Sequence, residues 1–548
     1  MRSVLAGGGA LLFGWGPVAA QDRLNQANPA ILERALPDPS KRATKSEPTP
    51  VETTQAPAPA AATTSHFASA IVIDGGREIA RDAFSGALLP FIGRDLSGDD
   101  LARLSSAVAT VARDAGFPFA SAWIEPQRLA DGVLRVRLDT GTLSAVRVIG
   151  AINPLADRIL TRALVTDHAV RRADLERAIL LVGDIPGVTV KDSKYVRQDG
   201  FGILLVTIAQ DRASAYVQID NRGSKEVGPI RSTVLGNIRG LIGAGDELSV
   251  IAAQTPVQPS EFVFVRARYS APVDADGATL SASASYGRAK PGASLAPLDV
   301  IGESFDAALS YSKPLLRSRT RSLWAVVELR GLRSDQTLLT SPLRNDRLAT
   351  LTASLNGSIK AGAGTLRAEF VMVDGLPLPG VTHQGDARIS RSDGDARFVT
   401  WGYNADWTTP LFDHVSLVLA SEAQLALRPL LATAEIGAGG PAFGRAYDYA
   451  ERTGDDGILG SGEIRVDFGR VIPNVVDRVQ LYGSVDGGYV DNLRGGSGGG
   501  ALLSTAAGVR LGRGRLGGMV EVAVPLNADR FDTGNRDPRI SFRLSRVF

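Results

Sequence analysis

Few residues in this sequence are equipped for covalent or metal chemistry. Cysteine is absent, which removes thiolate nucleophiles, disulfide frameworks and Cys-based zinc or iron–sulfur sites. The four histidines are His66, His168, His383 and His414, and none has a second His or a Cys at metal-ligand spacing. The string Gly495-Gly496-Ser497-Gly498-Gly499 fits Gly-x-Ser-x-Gly but lies inside a glycine run, not at a strand-to-helix elbow, and there is no phosphate-binding loop. Gly512-Arg513-Gly514-Arg515-Leu516-Gly517 fits Gly-x-Gly-x-x-Gly as a string, but it stands between two strand-like segments, which makes it a turn. Asp455-Asp456-Gly457 and Asp393-Gly394-Asp395 lack the further oxygen ligands and distal Glu of a calcium loop, so they read as exposed acidic loops. The glycine run Arg494 to Gly500 reads as a flexible loop. No catalytic residue, metal or cofactor is expected, and an enzyme is the least supported reading. What remains is a set of separate charges, Arg445, Glu463 and Asp486, among glycines. By itself, an arginine such as Arg445 is ordinarily solvated.

The elements that would carry those charges begin with an address. Arg2 supplies a positive start, and Val4 to Val18 is uncharged. Val18-Ala19-Ala20 places small residues where a signal peptidase reads, so residues 1–20 are expected to be a signal peptide. Beyond it there is no uncharged run of about 18 apolar residues, so a membrane protein with this sequence must span with strands. A hydrophobic fraction of 44% with 22% charged residues fits a folded chain. A net charge of +2 gives no bulk electrostatic case for nucleic acid.

Residues 21–36 read as a helix from Asp22 to Leu36, with Leu24, Ile31, Leu32 and Leu36 at helical spacing. Pro29 falls inside it, and a disordered tail is an equal alternative. Residues 37–65 are a Pro/Ala/Thr-rich linker. Two units then repeat one element order. In 66–141, strand Ala70–Ile73 precedes a helix over Asp99–Asp114, N-capped by Ser97 and ended by Gly116. Strands Ala120–Ile124 and Val133–Leu138 follow. In 142–209 the order is strand Leu143–Ile149, helices Leu155–Leu164 and Ala173–Leu181, then strands Val188–Val196 and Gly202–Ile208.

From residue 210 to 548 short alternating segments recur between turn residues. Ala215, Val217 and Ile219 form one apolar face; Leu366, Ala368, Phe370 and Met372 another; Ile540, Phe542 and Leu544 a third. A soluble sandwich would alternate in the same way. The length, and the lack of a helix, linker or second core signal, favour one closed barrel. Sixteen strands give about 21 residues per strand and connection. The expected fold class is therefore mainly β: a sixteen-stranded transmembrane β-barrel behind two small α+β modules.

At this level the sequence resembles the two-partner secretion transporters of the haemolysin activation/secretion family. Leu96-Ser97, Leu101, Leu104, Ala115-Gly116-Phe117, Pro126-Gln127, Gly132-Val133-Leu134 and Thr140-Gly141 follow its first module. Asp220-Asn221-Arg222-Gly223, Gly228 and Gly243-Ala244-Gly245-Asp246 follow its barrel opening. Ala507-Gly508-Val509-Arg510, Ala523-Val524-Pro525-Leu526 and Phe548 follow its last strands. The resemblance implies that the two modules are POTRA modules (66–141 and 142–209) and that 21–36 is a plug helix.

It also implies a long loop that folds back into the lumen. Its tip matches Gly439 to Tyr447, with Arg445 and Tyr447 kept and Ala446 where the family has Gly. The partner strand matches Ser484-Val485-Asp486-Gly487-Gly488, with Ser484 in place of an aromatic and Tyr482 two residues upstream. The implied lock is a bidentate pair of Arg445 with Asp486, with Glu463 as second acceptor and Gly488 completing the motif. The implied function is outer-membrane translocation and activation of a secreted client, expected to be a β-helical exoprotein captured at POTRA strand edges. Alternatives are a barrel-assembly factor of the wider superfamily or a small-peptide export pore. Other implied partners are outer-membrane lipid and the barrel-assembly machinery, for which Phe548 is the assembly signal. No nucleic acid is implied, a monomer is expected, and the modules are expected in the periplasm.

Overall fold

The computed structural model describes residues 25, 28–36, 52–53, 66–127, 132–198, 201–471, 476–494 and 496–548. The expected signal peptide, Leu24 and most of the 37–65 linker lie outside them.

Of the helix expected over Asp22–Leu36, the described residues are Asn25, itself helical, and 28–36, where Asn28 interrupts the helix. Helix α1 spans Pro29–Leu32 and continues as a 3-10 turn over Glu33–Ala35. Pro29 is its first residue, where a missing N–H costs nothing, and the Asn28 side chain caps Ala30 N at 3.0 Å. The linker contributes strand β1 (Glu52–Thr53).

The first module contains β2 (His66–Ala68), β3 (Ala70–Gly75), helix α2 (Ser85–Leu88), β4 (Arg94–Leu96), α3 (Gly98–Asp114), β5 (Ser121–Trp123) and β6 (Val133–Asp139). Ser97 caps α3 in a full capping box: its hydroxyl accepts from Asp100 N, and Asp100 accepts from Ser97 N. Those bonds hold the Asp100 carboxyl well below the usual carboxylate range, the Ser97 hydroxyl contributing most. Leu101, Leu104 and Val108 pack on Leu134 and Val136 of the sheet β3-β6-β5.

The second module repeats this topology with β7 (Ala145–Ile149), α4 (Pro154–Leu164), α5 (Arg172–Asp184), β8 (Val188–Gln198) and β9 (Phe201–Gln210). In the main sheets β3 runs parallel to β6 and β7 runs parallel to β9, and in each module that last strand lies between the other two. β1 adds itself in parallel to the outer edge of β8, Glu52 opposite Lys194 and Thr53 opposite Tyr195. The linker therefore supplies a strand that its composition did not predict. The module is bolted to the barrel, with Arg317 Nε and Nη2 donating to both Asp184 oxygens at 2.7 and 2.8 Å.

The barrel comprises β10 (Ala213–Asp220), β11 (Arg231–Arg239), β12 (Glu247–Gln254), β13 (Phe262–Pro272), β14 (Thr279–Ala289), β15 (Ile301–Arg317), β16 (Arg321–Leu338), β17 (Ser341–Ala361), β18 (Gly364–Gly375), β19 (Val399–Phe412) and β20 (Val415–Ala426). It continues with β23 (Asp456–Gly469), β24 (Arg478–Asp491), β25 (Gly500–Arg513), β26 (Leu516–Pro525) and β27 (Arg539–Val547). All sixteen neighbours are antiparallel, and β10 closes the ring on β27. The apolar faces read from the alternation point outward: Val217, Ile219, Phe370, Ile540 and Leu544 are exposed where lipid would cover them. Their neighbours Gln218, Asp220 and Ser541 are buried.

Two expectations for residues 210–548 need correction. Strands are not uniformly the length of about 10 residues that a bilayer needs: they run from 8 in β10 to 21 in β17, because β15, β16 and β17 extend past the hydrocarbon band. The region also holds more than strands. A 3-10 helix, Ala293–Leu298, packs Leu295 and Leu298 on Val300. Between β20 and β23 a hairpin of β21 (Ile436–Ala438) and β22 (Arg452–Gly454) folds inward on its own apolar cluster with Tyr447, Leu459 and Leu502.

Ser97→Ala removes the cap of α3, worth about 1 kcal/mol. In the full chain, amide exchange in the first turn of α3 should speed up about fivefold, and unchanged protection there would show that the cap is not what fixes the helix start.

Candidate functional site

The charged residues singled out from the sequence converge inside the barrel. Strands β23, β24, β25 and β26 present inward-facing Glu463, Asp486, Ser504 and Glu521, because every second residue of a strand faces the lumen. The β21–β22 hairpin lowers its tip, Gly439 to Tyr447, onto them. Gly440 and Gly444 turn the tip with φ of 101° and 94°, a region open to glycine.

Asp486 holds the tip chiefly through its backbone. One carboxylate oxygen accepts from Gly444 N and Arg445 N, both at 2.8 Å, and from Ser504 Oγ at 2.7 Å. The bidentate Arg445–Asp486 pair is not formed. Arg445 Nε lies 3.3 Å from the other Asp486 oxygen as an ion pair without hydrogen-bond alignment. The guanidinium makes its close contact with Glu463, 2.8 Å from Nη1, and a longer one with Glu521 at 3.3 Å. With the tip peptides occupying Asp486, the guanidinium is displaced toward these other carboxylates. Asp486, Glu463 and Glu521 are 0–3% exposed, so each charge depends on its partners.

Both departures from the family pattern have a local explanation. Ala446 is fully buried and has no positive φ, so the methyl group is accommodated without strain. Ser484 fills the aromatic's place with a hydroxyl 3.3 Å from Asp486 Oδ2. The aromatic face comes instead from Tyr482, whose ring lies 5.8 Å from the Arg445 guanidinium carbon and 3.8 Å from that of Arg510. Gly488 is a close-approach position: a Cβ there would sit 2.3 Å from Leu459 Cδ2 and 2.7 Å from Ile458 O. Tyr447 is fully buried, its hydroxyl within hydrogen-bond distance of Leu503 O and Ala528 O. Phe548 lies outside this cluster at the barrel rim, half exposed under Arg546, its N–H donating to Ala215 O at 2.8 Å.

Several members were not singled out from the sequence. Glu521 binds Arg445, Arg222 and the Tyr482 hydroxyl, the last at 2.8 Å. Arg510 makes two bonds to Glu463, at 2.8 and 3.0 Å. Their signal was present: Val520-Glu521-Val522 and Val509-Arg510-Leu511 each set one charge between apolar residues that face lipid, which forces the charge inward.

The plug segment occupies the same lumen. Leu32 rests among Ile251, Phe262 and Phe264, all facing inward. Glu33 pairs with Arg330 at 3.0 Å and Arg266 at 3.3 Å. Asn28 accepts from Ser334 at 3.0 Å, and Arg34 donates to the carbonyls of Thr433 and Glu435 beside β21.

The haemolysin secretion/activation protein family ShlB/FhaC/HecB matches residues 202–511, more than half of the chain. The chain belongs to this family. A ShlB-type POTRA domain matches residues 66–141. The heme/hemopexin transporter protein HuxB of Haemophilus influenzae is 24% identical over 52% of this chain and 51% of HuxB, so the chain spans about half the length of the curated relatives it matches. CdiB from Escherichia coli superposes with a TM-score of 0.70 at 19% identity, covering 96% of this chain and 97% of CdiB. CdiB from Acinetobacter baumannii gives 0.63 at 17%, covering 97% and 98%. At these identities the two structures speak to the fold. Membership places the barrel in the outer membrane and the POTRA modules in the periplasm.

Glu463→Gln leaves Arg445 and Arg510 without their close buried carboxylate, a loss of about 3 kcal/mol. The barrel should then lose its folded mobility in detergent gels at a lower temperature than wild type. An unshifted transition would mean that water replaces the carboxylate at no cost.

Proposed function

We propose that this chain carries a secreted partner protein out through the outer membrane. The observation that supports this most is the content of the lumen. A tethered segment fills it, and that segment is held by side-chain ion pairs and caps rather than by strand pairing to the wall. A segment seated in this way can leave and return. The linker, about 29 residues at about 3.1 Å each, is long enough to follow it across a bilayer.

The client enters unfolded from the periplasmic side. A POTRA strand edge adds a client strand through main-chain hydrogen bonds, which read little sequence. The outer edge of β8 is the favoured place, since β1 of the linker already pairs there. Departure of the plug would draw β1 away and free that edge. Folding of the client outside gives the movement its direction, so no nucleotide, metal or cofactor is required and the chain does no covalent chemistry. The client is a β-helical exoprotein. The transporter works as a monomer in lipid after insertion by the barrel-assembly machinery, with Phe548 in the strand that machinery reads, and it makes no use of nucleic acid.

Arg445 and Asp486 hold the lumenal loop in its working position. Cells expressing this chain with the large secreted protein encoded beside it should release that protein, and cells without the chain should not. Arg445→Ala or Asp486→Ala should reduce release while a folded barrel still reaches the membrane; normal release by both variants would end the assignment of the lock. Glu33→Ala removes the plug's main ion pairs, so channel openings in planar bilayers should become up to about a hundredfold more frequent. Conductance identical to wild type would mean that the plug is held elsewhere.

A further inference from the structure

The ring of sixteen strands has one weak joint. β10 and β27 register only from Tyr216 opposite Val547 to Asp220 opposite Arg543, the shortest of the barrel's ladders. Strands that meet across this seam come from the two ends of the barrel sequence, so no hairpin turn holds them together. A seam of this kind needs another device to stay closed, because frayed strand ends leave backbone groups unpaired.

The residues that follow the ladder on the outer side supply one. Asn221 continues it with its side chain: Nδ2 donates to Ile540 O at 2.9 Å, and Oδ1 accepts from Phe542 N at 2.7 Å. Beyond Asn221, both sides of the seam reach inward to the same stretch of the lumenal loop. Arg222, from the β10 side, donates Nη1 to Arg445 O at 3.0 Å and pairs with Glu521. Arg539, the first residue of β27, donates Nη1 to Asp448 at 2.7 Å. Its Nη2 crosses the seam to Gly223 O at 3.0 Å. Gly223 is tightly enclosed, since a Cβ there would meet Gly228 O at 1.8 Å, so that carbonyl is fixed in place. Arg222, Arg539, Asp448 and Glu521 are 2–8% exposed, so water does not compete for these contacts.

We infer that the lumenal loop is a staple across the barrel seam: Arg445 and Asp448 on the loop receive Arg222 from one side and Arg539 from the other, and the loop tip thereby holds β10 against β27. The motif Asp220-Asn221-Arg222-Gly223 gains a role at each position. Asp220 accepts from Arg222 N at 2.9 Å and orients it, Asn221 extends the ladder, Arg222 grips the loop, and Gly223 receives Arg539. The consequence is that withdrawal of the loop and loosening of the outer half of the seam are one event. The barrel then gains width only when the loop leaves.

The inference concerns the barrel itself and does not depend on secretion of any client. Its test is amide exchange followed by mass spectrometry on the purified full chain in detergent. Asp448→Asn, which alters the loop and leaves both seam strands as they are, should raise exchange in 216–220 and 543–547 by about tenfold, with β16 and β17 unchanged. Arg539→Gln should do the same. The chain has no cysteine, so Ile219→Cys with Leu544→Cys, an outward-facing register pair, can be oxidised across the seam without mispairing to a native thiol. That bond should return the seam of Asp448→Asn to wild-type protection. Unchanged seam exchange in Asp448→Asn would overturn the staple. So would a rise shared equally by β16 and β17, or a failure of the disulfide to restore protection. If Arg539→Gln does not assemble, Asp448→Asn alone decides.

Discussion

Closing a sheet on itself inside a bilayer forces every second side chain into a shared interior, and that constraint governs the rest of this molecule. The outer face must be apolar to meet lipid, so the charges of the barrel sequence have one place to go. In a wide barrel the interior would be water and the charges solvated. Here the lumen is occupied by the plug segment and the β21–β22 hairpin, and charges such as Glu463, Asp486 and Glu521 are cut off from water. A carboxylate in that position must be matched by cations and N–H donors. The ionic clusters thus follow from the lumen being filled.

The two lumenal bodies are tied together as well as to the wall. Arg34 of the plug donates to the carbonyls of Thr433 and Glu435, just ahead of β21. The Glu435 carboxylate in turn pairs with Arg391 at 3.3 Å, and Arg391 also binds Asp455 at 2.7 Å. The plug, the base of the hairpin and the outer loop 376–398 therefore share one connected polar network. A change in any one of them removes partners from buried charges in the next, so the three are expected to move in steps rather than independently.

Much of this was legible in the sequence, and the limits have physical causes. Period-two alternation revealed the barrel and its lipid-facing side because each strand has only two faces. Ser97 announced α3 because a cap is a local interaction. Arg445 and Asp486 were found together through a family pattern, but their geometry was not. Asp486 spends its best-aligned oxygen on the tip's backbone N–H groups, and no sequence pattern reports which donor a carboxylate will choose. Pro29 was misplaced for a related reason: Asn28 as a cap moves the helix start to it, which turns an apparent breaker into a first residue. β1 had no signal at all, because a strand of two residues is made by the open edge it joins rather than by its own side chains.

The choice of ion pairs over apolar packing at these contacts has a consequence for motion. A purely apolar plug and loop tip would gain about 25 cal/mol for every Å² buried and would lose all of it on leaving. Buried ion pairs contribute little net stability, because the attraction is largely cancelled by the desolvation of each charge. They still demand one geometry, since a misplaced guanidinium leaves a carboxylate unmatched. A lumen filled in this way is specific about where its contents sit, yet weakly committed to keeping them there. When water enters, the charges recover their hydration and the cost of separation falls. The small apolar seat of Leu32 is then the main contact left to break. A channel that must stay shut at rest and clear for a passing chain needs that combination, and the inward-facing charges of sixteen alternating strands provide it.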